Sequence, residues 1–305
     1  MKLNFDVVVI GSGVAGMTAA IYLKRANTNV AIIEKGAPGG QINGTSKIEN
    51  YPGFLSIEGP ALAYNIFSQV QELEIPFVSG DVLQIVDKQD FKVIKMNKEE
   101  ITCKAIIIAT GRKPKKLGLE NEMELAGRGV SWCAICDGPL FKGKDVVVVG
   151  GGNSALEESL YLDSVASSVT IVHRNKEFRG DEILRSQVLD TRSIKVFYNA
   201  NVVKLNVSDN KLESVDVKKS ETNEVVNIKA AGLFIYIGFE PVTDIVEDLN
   251  ITNEEGYLIV DENMRTKIGN IYGCGDVIDK ELYQVVTATG EGAKAAFSAI
   301  KDLSE

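Results

Sequence analysis

Two unbroken apolar runs stand out from the mixture of apolar and polar positions: Asp6-Val7-Val8-Val9-Ile10 and Asp145-Val146-Val147-Val148-Val149. Short β-branched runs bounded by turn residues predict strands buried on both faces, as in a parallel sheet. Each run leads into glycines, then a helical pattern, then a second apolar run. The first copy closes on Glu34 and the second on His173-Arg174. The repeat continues beyond these βαβ units. Residues 81–109 read as a three-stranded meander: Asp81 to Asp87, Phe91 to Met96, and Ile101 to Ala109. Residues 201–237 repeat the plan as Asn201 to Val207, Leu212 to Val217, and Val225 to Ile237. The meanders end at Gly111-Arg112-Lys113-Pro114 and Gly238-Phe239-Glu240-Pro241, and Gly with Pro punctuates elements. Both ends therefore predict chain crossings between domains. Further on, Ile271-Tyr272 reads as a brief strand. A helix is predicted from about Gln284 to Leu303, with Val285, Val286, Ala293, Ala296, Phe297 and Ile300 near a 3.6-residue period. The stretch from Gly36 to Gly59 is long for a loop, and such loops are usually functional or mobile.

The glycines give the repeat a chemical meaning. Gly11, Gly13 and Gly16 follow the first strand; Gly150, Gly152 and Ala155 follow the second. The first glycine permits a tight turn, the second lets backbone approach a pyrophosphate, and the third lets helix and strand pack closely. The phosphates then rest on a helix N-terminus, where free N–H groups and the dipole favour an anion. The expected fold class is therefore α/β: two Rossmann-like three-layer ββα dinucleotide-binding domains, the second inserted in the first. The boundaries read as 1–114 with 241–305, and 115–240. Glu34 can accept hydrogen bonds from a ribose diol, as in FAD or NAD. In the second copy His173 and Arg174 replace the acid, and Arg179 is near. A guanidinium there binds a 2′-phosphate and points to NADP(H); the plainer alternative is a solvated basic strand end. Gly275-Asp276, expected just before a helix, is a third phosphate-type turn, although alone it would be an ordinary N-cap.

Length and charge narrow the picture. A chain of 305 residues with 45% hydrophobic and 25% charged residues is an ordinary globular protein of about two domains. A net charge of −9 argues against nucleic acid, which needs clustered Lys and Arg. No apolar run approaches the roughly 18 residues of a membrane helix, and a first strand entered by Phe5 leaves no room for a signal peptide. Four Cys make no disulfide scaffold, and a cytoplasmic setting fits. Two of them form Cys133-Ala134-Ile135-Cys136, followed by Asp137-Gly138-Pro139. A two-residue gap allows a small disulfide ring and lets one thiol lower the pKa of the other. A zinc reading needs two more ligands, and the candidates Cys103, Cys274 and the single His are far apart in sequence. Asp137 is the natural proton carrier for a leaving thiolate, or simply a turn or N-cap residue. Cys103, in an alternating strand, and Cys274, in a Gly-Cys-Gly-Asp turn, read as packing residues.

Together these residues resemble the low-molecular-weight thioredoxin reductases along the whole chain. The matching segments are Gly11 to Gly16, Gly39-Gly40-Gln41, Ile48 to Gly53, Ala109-Thr110-Gly111, Cys133 to Gly138, Gly150 to Ala155, and Gly275-Asp276-Val277. The resemblance implies FAD on Gly11, Ser12, Gly13, Ala15, Gly16, Glu34, Gly40, Gln41, Asn50, Val82, Ala109, Thr110, Gly111, Gly275, Asp276, Gln284 and Val285. It implies NADPH on Gly150, Gly152, Asn153, Ser154, His173, Arg174 and Arg179. It also implies catalysis by Cys133, Cys136 and Asp137, with Cys136 facing the flavin, a homodimer, and hinges near 112–116 and 238–242. The expected partner is thioredoxin or a thioredoxin-like dithiol protein. Two positions depart from the family pattern: Asn175 stands where an arginine is usual, and Tyr283 precedes Gln284 where Arg-Gln is common. A ferredoxin-fed flavin enzyme of the same core is the alternative activity. A dinucleotide sensor without turnover is the alternative of another class, and a sensor needs no dithiol.

Overall fold

The computed structural model describes residues 4–45 and 47–304. The chain divides into two units, Met1–Lys113 with Glu240–Glu305 and, inserted between these pieces, Pro114–Phe239. The first unit opens with β1 (Phe5–Ile10), α1 (Val14–Arg25) and β2 (Val30–Glu34). It continues through α2 (Gly59–Glu72), β3 (Phe77–Ser79), β4 (Val82–Asp87), β5 (Lys92–Met96) and β6 (Glu100–Ile108). The sheet order is β3-β2-β1-β6-β5-β4. Successive side chains of a strand point to opposite faces, and β1 uses both. Val7 and Val9 pack with Met17, Leu23 and Leu62 on the helical side; Val8 and Ile10 pack with Val82, Ile85 and Ile94 on the other. An all-apolar run is the pattern that such double coverage selects.

β6 does not alternate as expected. It is buried from Ile101 to Cys103 and again from Ala105 to Ile108, because its second half lies parallel to β1 with both faces covered. Its first half pairs antiparallel with β5. One strand thus serves the parallel and antiparallel parts of a single sheet. The chain leaves the unit through β7 (Arg112–Pro114).

The inserted unit contains β8 (Val130–Ser131), α3 (Ala134–Asp137), β9 (Asp145–Gly150), α4 (Asn153–Asp163), β10 (Ser168–Val172), α5 (Glu182–Asp190) and β11 (Ile194–Phe197). Strands β12 (Ala200–Ser208), β13 (Lys211–Lys219), β14 (Val225–Lys229) and β15 (Gly232–Tyr236) complete it. The parallel sheet runs β11-β10-β9-β15-β8, and β12-β13-β14 form a separate sheet. Val146 and Val148 pack towards Leu156, Leu162 and Val188 of α4 and α5; Val147 and Val149 pack towards Val202, Leu205 and Val215 of the small sheet. This is the three-layer arrangement. The single strand expected from Val225 to Ile237 is two strands. β14 pairs antiparallel with β13, and β15 pairs parallel with β9. Here the antiparallel strands form their own layer, so the chain must break at Ala230-Ala231 to change layers.

Returning through β16 (Phe239–Pro241), which pairs with β7, the chain adds β17 (Ile271–Gly273) beside β6 and ends in α6 (Val285–Ser304). Two expectations need correction. Gly275–Val277 is a short 3-10 turn, and α6 begins only at Val285. The buried residues of α6 are Ala288, Gly292, Ala295, Ala296, Ser298 and Ala299, whereas Val286 and Phe297 are exposed. Small residues were selected because α6 nests on α1: a Cβ on Gly292 would run into the Ala15 carbonyl. Among the described residues no helix is long and apolar enough to cross a membrane.

Candidate nucleotide sites and redox pair

In the first unit the β1–α1 turn separates two glycine tasks. Gly11 has φ of 102°, and a Cβ there would collide with the Ala109 carbonyl. Gly13 has ordinary φ of −66°, yet a Cβ there would meet nothing within 4 Å. The space above Gly13 is therefore free of protein. α1 starts at Gly13 with no side-chain cap and no acidic residue in its first turn. Its first N–H groups and positive dipole end remain for an anion. At the end of β2, one Glu34 oxygen accepts from the Ser12 backbone N–H (2.8 Å) and Ser12 Oγ (2.9 Å), and the other accepts from the Gly36 N–H (2.8 Å). Glu34, Gly11, Val82 and Thr110 line one cavity of about 280 Å³. Ala109 donates its N–H to the Ile10 carbonyl, and Thr110 Oγ1 donates to the Val242 carbonyl at 2.6 Å. The Gly111 carbonyl accepts from Val242.

A second group of the implied flavin residues lies around Asp276. Gly39 bridges Gly13, and Gly40 opens the 3-10 turn that carries Gln41. Gln41 Nε2 donates to Asp276 Oδ2 at 3.3 Å; Arg112 Nε (3.2 Å) and Lys280 Nζ (3.4 Å) flank the same carboxylate. Lys280 also pairs with Glu291 at 2.8 Å, and Glu291 accepts the Gly275 N–H. Burial raises the Glu291 pKa against these partners. Asn50 Nδ2 donates to Gln284 Oε1 at 3.0 Å, next to Val285 at the head of α6. Ala15 and Gly16 close the group from below: Gly275 approaches Ala15, and Gly16 approaches the Gly11 carbonyl. Tyr283 carries the Arg112 guanidinium 4.1 Å above its ring. Sequence reasoning missed Lys280 and Glu291 because a Lys and a Glu in or near a helix carry no motif.

In the inserted unit a cavity of about 520 Å³ is lined by Gly150, Gly152, Asn153, Ser154, His173, Arg174 and Arg179, together with Trp132 and Tyr236. α4 starts at Gly152 as α1 starts at Gly13: no side-chain cap, no acid in the first turn, and open space where a Cβ would stand. Asn153 exchanges two hydrogen bonds with Asp181, tying the turn to the loop that bears Arg179. His173 is only 3% exposed. Its ring lies against Gly151, and Nε2 meets the Glu177 carbonyl at 3.0 Å. Burial first, and the charges of Arg179 and Arg174 after it, hold His173 below its usual pKa against that carbonyl bond. The ring is thus a neutral strut, and Arg174 and Arg179, with Lys115, are exposed cations lining the cavity.

The cysteines share this unit. Cys133 and Cys136 form a disulfide with their Cα atoms 5.3 Å apart. Cys133 is the N-cap of α3, and its Sγ accepts the Cys136 N–H at 3.2 Å. Asp137 closes the same turn with its N–H on the Cys133 carbonyl. Ser131 Oγ accepts the Cys133 N–H at 3.0 Å. Cys103 and Cys274 lie buried in the other unit; burial pushes Cys103 up to about 12 and raises Cys274 too. Two further residues of this unit escaped sequence reasoning. Burial raises the Glu158 carboxyl to about 7, with Glu157 adding to the effect. Tyr236 accepts the Ala134 N–H at 2.7 Å.

The pattern defining the pyridine nucleotide-disulphide oxidoreductases matches residues 5–292. The chain belongs to that family. Within it, the thioredoxin reductase of Bacillus subtilis (strain 168) is 45% identical over 294 residues, 96% of this chain and 93% of that one. The thioredoxin reductase of Listeria innocua is 42% identical over 301 residues, 99% of this chain and 94% of that one. The crystal structure of Lactococcus lactis thioredoxin reductase matches with a TM-score of 0.92 at 42% identity, covering 99% of each chain. This pyridine nucleotide-disulphide oxidoreductase is a flavoprotein disulfide reductase of the thioredoxin reductase kind.

Proposed function

We propose that the enzyme passes electrons from NADPH through FAD and the Cys133–Cys136 pair to thioredoxin or a thioredoxin-like dithiol protein. The observation that carries this reading is local to the inserted unit. Trp132, directly before Cys133, lines the same cavity as Arg174, Arg179 and the open Gly152 turn.

The open Gly13 turn and the uncapped N-terminus of α1 fit a pyrophosphate, and Glu34 has acceptor capacity left for a ribose diol. Those residues would hold FAD, with Asp276 and Gln41 as polar partners for its hydroxyls. Arg174 and Arg179 would hold a 2′-phosphate, and the Asn175 side chain adds no charge there. Bound there, FAD would supply the electron pair that opens the disulfide, and NADPH would supply the reducing equivalents that replenish it. The chain's own residues do the rest. The S–S bond opens, Asp137 delivers a proton to the leaving sulfur, and the other sulfur stays a thiolate, with the Cys136 N–H placed on Cys133 Sγ. That thiolate attacks the partner's disulfide to form a mixed disulfide, which the second cysteine resolves. The partner leaves reduced and Cys133–Cys136 is oxidised again.

A homodimer in the cytoplasm is the proposed state; the exposed Tyr22 and Phe297 on the helices α1 and α6 support an apolar contact. Turnover of NADPH with thioredoxin tests the reading. Cys133→Ser and Cys136→Ser should each bind flavin yet lose more than about 1,000-fold of disulfide reduction, the scale of losing a nucleophile. Full turnover in either variant, or turnover only with reduced ferredoxin, contradicts it.

A further inference from the structure

Four amides of the redox turn, those of Cys133, Ala134, Cys136 and Asp137, have defined partners, and three of these partners are local. Ser131 Oγ takes the Cys133 N–H, Cys133 Sγ takes the Cys136 N–H, and the Cys133 carbonyl takes the Asp137 N–H. The fourth, that of Ala134, is held from elsewhere: it donates to Tyr236 Oη at 2.7 Å, across 102 residues of sequence. Ala134 is the first residue of α3 and has no exposure. An amide so buried has no water to turn to, so its partner matters.

Tyr236 is anchored on its own side. It ends β15, paired with Gly150 of the nucleotide turn, and it lines the nucleotide cavity. Burial first, then the charge of Glu158, pushes its phenol up, so the hydroxyl keeps its proton. The acceptor it offers Ala134 is therefore a neutral oxygen fixed by the central sheet.

We propose that Tyr236 is a positioning residue for the redox pair, its hydroxyl pinning the start of α3 to the parallel sheet so that the two sulfurs stay vicinal after the disulfide opens. This rests on the reading of Cys133–Cys136 as the catalytic dithiol. The physical consequence is an equilibrium one. Ring closure of a dithiol is favoured by the effective concentration of one sulfur at the other. Pinning the turn raises that concentration and favours the disulfide. Without the hydroxyl, the start of α3 loses its bond to the parallel sheet, the sulfurs separate more freely, and the dithiol gains.

The test is Tyr236→Phe, which keeps the ring and removes one oxygen. The flavin-loaded enzyme is equilibrated in dithiothreitol buffers of graded composition. Thiols are then trapped with a maleimide, and the Cys133 and Cys136 peptides are counted by mass spectrometry. A neutral hydrogen bond is worth enough for the exchange constant to move about two- to twelvefold towards the dithiol. An exchange constant within about 1.5-fold of the parent overturns the proposal, whether or not the variant is less stable. The titration uses neither a nicotinamide nor a partner protein. A parent enzyme that fails to reduce thioredoxin would therefore sink the proposed function and leave this measurement readable.

Discussion

At the scale of single residues, charge and burial make opposite demands in the inserted unit. The exposed Arg174 is free to read a phosphate, and the buried His173 beside it is not. Arg174→Ala should lower kcat/KM for NADPH about tenfold or more, the worth of one charge-assisted hydrogen bond, and change the value for NADH by less than about twofold. Equal losses with both nucleotides would show that Arg174 does not read the 2′-phosphate. Glu158 carries a pH dependence. Its carboxyl titrates near 7 in the fold, against the ordinary 4.5. The folded state therefore holds the proton more tightly, and stability is lost as pH rises from about 4.5 to about 7. Glu158→Gln should be spared that loss, gaining roughly 1–3 kcal/mol on the parent across this window once partial exposure is allowed for. Urea unfolding of both proteins at pH 4.5 and pH 8 checks it; a constant difference between them contradicts the burial of a protonated acid.

At the scale of elements, the glycine turns separate fold from binding. Gly11→Ala forces a side chain into φ of 102° against the Ala109 carbonyl and should destabilise the flavin-free protein by roughly 1–3 kcal/mol. Gly13→Ala enters open space and should leave flavin-free unfolding within about 0.5 kcal/mol while weakening FAD binding more than about tenfold. Unfolding of the apoprotein and a flavin titration read the two effects; a Gly13→Ala protein with undiminished FAD affinity would contradict the cradle. These turns were legible in the sequence because strand, glycines and helix lie within one local stretch. What was not legible depended on distant partners. The break at Ala230-Ala231 follows from two stacked sheets rather than from any local breaker. Val286 and Phe297 matched a helical stripe, yet the closeness of α1 put alanines and a glycine in the core instead. Tyr236 and Glu158 became visible only when β15 and α4 were packed around α3.

At the scale of the whole molecule, the proposed electron path runs through two dinucleotide folds and one dithiol. Each fold carries its own signature: an acid at the end of β2 in one and guanidinium groups after β10 in the other. The dithiol precedes the second fold in sequence and shares its cavity wall through Trp132. The most direct test is an anaerobic titration of the purified enzyme with NADPH, followed at once by the flavin absorbance and by thiol labelling of Cys133 and Cys136. The account predicts that NADPH bleaches the flavin band and opens the disulfide to two labelled thiols, with NADH and reduced ferredoxin far less effective. A protein that stays colourless after FAD is supplied, or a Cys133–Cys136 bond that stays closed while the flavin is reduced, would contradict it.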